Sequence, residues 1–167
     1  MDPITFKALE VPAAFRDRGE LRRWLHHVAR DHGHSINELN YVLMTDDALL
    51  VYNRRYLDHD EYTDVITFDG QTGKGVSGDV LMSYDRIREN ARSFGTSAQA
   101  ELRRVMVHGL LHLLGHDHRD REEERRMTAR TDALMSTVLP RLRGAKPKDA
   151  SPPPAGKRPS MPKNARK

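Results

Sequence analysis

Thr63-Asp64-Val65-Ile66-Thr67-Phe68-Asp69-Gly70-Gln71-Thr72-Gly73-Lys74-Gly75-Val76 is the stretch that decides the fold class. Its first six residues are rich in β-branched side chains and read as a strand. Asp69 to Gly75 is a glycine-rich turn, and Val76 to Tyr84 returns as a second strand, so a hairpin is expected. The glycines lack the spacing and flanking elements of a phosphate-binding loop. Further out, Ile4 to Leu9 alternates as a first strand, and Leu39 to Met44 is another short β-like run.

The remaining segments carry helical periodicity. Leu21, Trp24, Leu25, Val28 and Ala29 recur at three- and four-residue steps, closed by Asp31-His32-Gly33. Thr45 or Asp46 can cap a helix whose apolar positions include Leu49, Leu50, Tyr52 and Tyr56. Asp85 to Phe94 reads as a helix ended by Gly95, and Thr96-Ser97-Ala98-Gln99 matches a capping box opening the next one. That helix carries Leu102, Val105, Met106, Leu110, Leu113 and Leu114, and ends at Gly115. A last amphipathic helix is expected from about Arg121 to Leu139. About four strands and five helices make an α+β domain with no internal repeat.

Composition narrows the function. The 167 residues contain no cysteine, which excludes a disulfide scaffold, Cys-rich zinc fingers, iron–sulfur ligation and thiol catalysis. No apolar run approaches the ~20 residues of a membrane span. Met1-Asp2-Pro3-Ile4-Thr5-Phe6 shows no basic region followed by an apolar stretch, so a cytoplasmic protein is expected. The net charge of +4 hints at nucleic acid, but it is unevenly placed. Residues 144–167 hold six of the nine prolines and seven basic residues against Asp149 alone, a balance of +6. Residues 1–143 are left at −2. The chain therefore divides into a folded domain, 1–143, and a basic Pro-rich tail, 144–167, expected to be disordered. The tail reads equally as a solubilising extension or as an electrostatic tether for RNA.

The chemistry concentrates in Val107-His108-Gly109-Leu110-Leu111-His112-Leu113-Leu114-Gly115-His116-Asp117-His118. Four residues of α-helix rotate ~400°, so His108 and His112 share one face within reach of one ion. Gly115 lets the chain reverse, and His118 can swing back as a third ligand. Three neutral imidazoles with an open fourth position suit a catalytic Zn²⁺. Asp117 is a candidate for orienting an imidazole, with a turn role as the bland alternative. On spacing alone His116 is either a ligand or a loop residue. His26, His27, His32, His34 and His59 lack comparable spacing and read as surface or packing residues. Metalloproteases of the His-Glu-x-x-His type place their general base directly after the first ligand. Here that position is Gly109, so the zinc-bound water itself is the expected nucleophile.

These residues resemble the YbeY family of bacterial zinc-dependent endoribonucleases. The family signature His-Gly-x-Leu-His-Leu-x-Gly-x-Asp-His is matched throughout residues 108–118. The family blocks Asn-x-x-Tyr and Thr-Asp-Val-Leu-Ser-Phe appear as Asn53, Tyr56 and Thr63 to Phe68, and a third block as Gly78-Asp79 with Asn90-Ala91. The resemblance, running from about residue 35 to 140, implies a small mixed sheet packed against helices. It implies zinc on His108, His112 and His118, leaving His116 at a variable position. It also implies cleavage of single-stranded RNA, with ribosomal RNA and the small ribosomal subunit as partners, in 3′ end maturation of 16S rRNA and ribosome quality control. The family arginine after the second block's Tyr is replaced here by Leu57, so either Arg54 or Arg55 takes its place or the cleft handles RNA differently.

The mechanism expected is metal-assisted phosphodiester hydrolysis, with Arg54, Arg55 or Arg104 neutralising developing charge. A solvated helix face is the bland alternative for each arginine. Asp64 and Asp79 are candidates to face the cleft, with capping or turn hydrogen bonding as the alternative. Two rival functions remain: a zinc hydrolase on a non-RNA substrate, and a non-catalytic ribosome-assembly factor with structural zinc. The sequence leaves the oligomeric state open.

Overall fold

A computed structural model of the chain describes residues 2–70, 74–115 and 129. In chain order these form β1 (Ile4–Ala8), α1 (Arg18–Asp31), β2 (Ile36–Met44), α2 (Asp46–Leu57), β3 (Val65–Asp69), β4 (Val76–Ser83), α3 (Tyr84–Phe94) and α4 (Ala98–Leu113). The sheet order is β1-β2-β4-β3. The β1–β2 and β2–β4 pairs are parallel, and β3–β4 is the expected antiparallel hairpin. The fold is α+β with a mixed four-stranded sheet, as read from the sequence. Four helices lie among the described residues, and the expected fifth, near 121–139, lies outside them except for Ala129, which is helical and exposed. No described helix is long and apolar enough to cross a membrane.

Local chemistry places the helix ends. Thr45 caps α2 by accepting from the Ala48 N–H, and Gly95 ends α3 at φ 64°. The capping box before α4 is corrected by one residue. Ser97, not Thr96, is the cap and accepts from the Ala100 N–H at 3.0 Å. Gln99 therefore falls one position short of closing the box, and its amide donates instead to the Ala14 carbonyl at 2.7 Å. The inward face of α2 also differs from the expectation. Leu49, Leu50 and Asn53 are buried, whereas Tyr52 and Tyr56 are exposed. Residues 49, 53 and 57 stack at four-residue steps against the sheet, which leaves the two tyrosines on the flank.

Strand alternation gives the sheet two unlike faces. Val76, Val80 and Met82 of β4 enter the main core with Leu39, Tyr41 and Leu43 of β2, the apolar side of α1, and Val105, Met106 and Leu110 of α4. Leu81 of β4 points the other way, into a smaller cluster with Met44, Leu49 and Ile66 against α2. Helices α4 and α2 thus cover opposite faces. Gly78 of β4 packs tightly between β3 and α4. A Cβ there would stand 2.6 Å from the Phe68 carbonyl oxygen and 2.9 Å from Leu113 Cδ2.

Tyr41 ties the sheet to α4 through a polar contact inside this core. Its hydroxyl is fully buried and donates to the Met106 carbonyl at 2.9 Å, and burial pushes its pKa far above the usual phenol range. Tyr41→Phe keeps the ring and removes the donor. The expected loss is about 0.5–1.5 kcal/mol in urea unfolding, with helix content unchanged in far-UV circular dichroism. A neutral substitution would show that the bond contributes nothing net.

Candidate metal centre

The site is built on the last two turns of α4. Gly109 faces the sheet: a Cβ there would lie 2.7 Å from Val80 Cγ1 and 3.5 Å from Thr67 Cγ2. This contact fixes the rotation of the helix. At ~100° per residue, His108 lies about 100° and His112 about 60° to the same side of it. The two rings stack at 17°, with centroids 5.8 Å apart. His112 is buried at 2% exposure, and His108 is half-buried. Two imidazoles sharing one tetrahedral ion at ~2.1 Å have centroids about 5 Å apart, so the spacing of the pair is compatible with a borderline metal such as zinc once the rings turn their in-plane nitrogens toward it.

Gly109 also gives a physical reason for the missing glutamate. A side chain after the first histidine would be driven into Val80, so this helix has no room for a base at that place. Beyond His112 the chain leaves the helix at once. The Gly115 N–H donates to the His112 carbonyl at 3.0 Å, and Gly115 adopts φ 102°. That left-handed conformation is open to glycine at no steric cost. His116, Asp117 and His118 lie outside the described residues. Among the described residues, no three His, Cys, Asp or Glu side chains form a group able to hold a metal. The described part of the centre is the His108–His112 pair.

The arginine candidates fall in two places. Arg104 sits one turn before His108 on the same face of α4, partly exposed, with its guanidinium 3.8 Å from the buried Glu101 carboxylate. Arg54 and Arg55 lie on α2, across the sheet from α4. Arg54 pairs with Asp60, and the Arg55 guanidinium lies 5.5 Å over the Tyr56 ring. Leu57, at the position of the family arginine, is partly buried and packs on the Met44–Leu49–Ile66–Leu81 cluster.

The two aspartates separate as well. Asp64 is buried, 3.5 Å from the Asn90 amide nitrogen, and its carbonyl accepts from the Ser83 N–H. Asp79 lies on the α2 side of the sheet, where it accepts from the Asn40 amide at 2.9 Å. Sequence reading did not anticipate the part played by Asn53. Its buried amide donates to the Glu61 carbonyl at 2.6 Å and its own carbonyl accepts from the His59 N–H, so it pins the loop between α2 and β3. A lone polar residue among the inward positions of α2 was the available signal.

The family model described as Endoribonuclease YbeY matches residues 7–139. The Cytophaga hutchinsonii protein named Endoribonuclease YbeY is 45% identical over 136 residues, spanning 81% of this chain and 95% of its own length. The Bacteroides thetaiotaomicron protein of the same name is 41% identical over 112 residues, 67% of this chain and 82% of its own. The solution structure of TM1509 from Thermotoga maritima superposes with a TM-score of 0.61 over 93% of this chain and 99% of that one, at 24% identity, a likeness of fold.

Gly109→Ala tests whether the seat of α4 on the sheet is as tight as the geometry implies. Overpacking at Val80 is expected to cost about 1–3 kcal/mol in urea unfolding. An unchanged midpoint would show that Val80 rotates away freely and that Gly109 does not set the helix position.

Proposed function

The chain belongs to the YbeY endoribonuclease family, and on that premise we propose that it is a zinc-dependent, single-strand-specific endoribonuclease of ribosomal RNA processing. The proposal includes 3′ end maturation of 16S rRNA and ribosome quality control, in the cytoplasm. Residues 1–143 carry the activity, and 144–167 form a separate basic segment. The observation that carries the reading is the His108–His112 pair on one face of α4, with ring centroids 5.8 Å apart, followed closely by left-handed Gly115.

His108, His112 and His118 are the residues that would hold the ion. When bound, zinc supplies Lewis acidity toward a phosphoryl oxygen and lowers the pKa of the attacking water toward ~7. The protein's own residues do the rest. Burial restricts the His112 ring, which favours a held orientation before any ion arrives. Asp117 orients a ligand imidazole through its second nitrogen. Arg104, on the histidine face of α4, offers a guanidinium to an RNA phosphate, while Arg54 and Arg55 engage the strand further away.

His112→Ala and Asp117→Asn separate the roles. His112→Ala is expected to lose the bound metal and to cut labelled single-stranded RNA about a hundredfold more slowly or worse, while its circular dichroism stays native. Asp117→Asn is expected to weaken metal affinity by ~10–100-fold and to recover activity with added zinc. A His112→Ala protein that unfolds with its metal loss would point to a structural ion instead. Wild-type protein with zinc restored that leaves RNA intact but hydrolyses amides would sink the nuclease assignment.

A further inference from the structure

The sheet face turned away from α4 is partly open and chemically uniform. Thr5, Asn40, Asp79 and Phe68 stand in register across β1, β2, β4 and β3. The Thr5 hydroxyl donates to Asn40 Oδ1 at 2.6 Å, and Asn40 Nδ2 donates to Asp79 Oδ1 at 2.9 Å and Glu38 Oε1 at 3.5 Å. The amide thus spends its donors within the row, and carboxylates dominate the floor. At one side stands a wall of three rings. Tyr56 and Tyr52 meet Phe68 edge-on at 5.4 and 6.3 Å, and they stack on each other at 6.1 Å. Both tyrosines are more than a third exposed. Floor and wall enclose a groove of about 680 Å³. Its described charged lining is Lys7 against Glu38, Asp69 and Asp79, a formal charge of −2.

A carboxylate floor of net negative charge repels phosphate, so the RNA backbone is a poor occupant. Ammonium and guanidinium groups complement the carboxylates and stack on tyrosine faces. Proline rings pack on aromatic walls. One segment of this chain combines both chemistries and is not otherwise used by the proposed activity: residues 144–167, with six prolines and a balance of +6. We propose that this segment docks in the groove of its own chain. Its prolines lie against Tyr52, Tyr56 and Phe68, and its basic side chains reach toward Glu38, Asp69 and Asp79. The connection is long enough. The 28 residues between Gly115 and Gly144 reach ~42 Å even if wholly helical. A domain of ~100 residues has a radius of gyration of only ~13 Å. Docking would withhold the tail's charge from RNA until salt or a competitor releases it.

Zero-length carbodiimide cross-linking of the full chain at low salt, mapped by mass spectrometry, tests the proposal. Lysines 146, 148, 157, 163 and 167 are expected to link to Glu38, Asp69 or Asp79 at least about fivefold more often than to Glu10 and Glu89 on other surfaces. The yield should be independent of protein concentration. It should fall at least about fivefold in 0.5 M salt and in the Tyr52→Ser/Tyr56→Ser double variant, whose altered side chains are exposed enough to leave the fold standing. Links spread evenly over all carboxylates, links whose yield rises with protein concentration, or links untouched by the double variant would each overturn it. Metal content and RNA cleavage do not enter the readout, so a failure here is separable from a failure of the nuclease assignment.

Discussion

Helix α4 rests on the β3–β4 hairpin at a distance set by two missing side chains. Gly109 on the helix and Gly78 on the strand each stand where a Cβ would come within 3 Å of a neighbour: Val80 Cγ1 in one case, the Phe68 carbonyl oxygen and Leu113 Cδ2 in the other. A glycine inside a helix is unfavourable by ~1 kcal/mol relative to alanine. Close approach offsets that cost, because it lets the apolar residues of α4 interlock with Tyr41, Val80 and Met82 in one core. It also fixes helix rotation, and rotation decides where His108 and His112 stand. Core packing and the candidate centre are therefore one constraint.

The same sheet serves two different purposes on its two faces. Toward α4 it is closed and apolar. Toward α2 it is covered only in part, by Leu49 against Met44, Ile66 and Leu81, and the remainder carries Thr5, Asn40 and Asp79 in a hydrogen-bonded row. Leu57 belongs with this second face, where it extends the apolar cover of α2. An arginine at that position would carry its charge into the cluster's edge. Its replacement by leucine changes the packing of α2 as well as the charge near the RNA-binding candidates.

Much of the architecture was readable from residue order. Alternation gave the strands, three- and four-residue steps gave the helices, and the Asp69–Gly75 turn gave the hairpin. The sites of misreading share a cause. Tyr52 and Tyr56 read as inward because they are large and partly apolar, yet α2 is narrow in its contact with the sheet and buries Asn53 instead. Thr96 read as a cap because it stands three residues before Gln99, yet the helix begins one residue later, at Ala98, with Ser97 as its cap. In each case two registers suited the local pattern, and packing selected one.

The sequence by itself determined the elements, the four-residue spacing of His108 and His112, and the glycine that lets the chain turn beyond them. These follow from backbone periodicity and from the conformations open to glycine, which are local properties. Only the tertiary structure decided that Gly109 is a packing contact, that His112 is buried, and that Asp79, Arg54 and Arg55 stand across the sheet from the histidines. Strand parity and helix rotation are settled by which side chains interlock across the sheet, and that depends on residues tens of positions apart in the chain. Spacing within one segment carries no record of it.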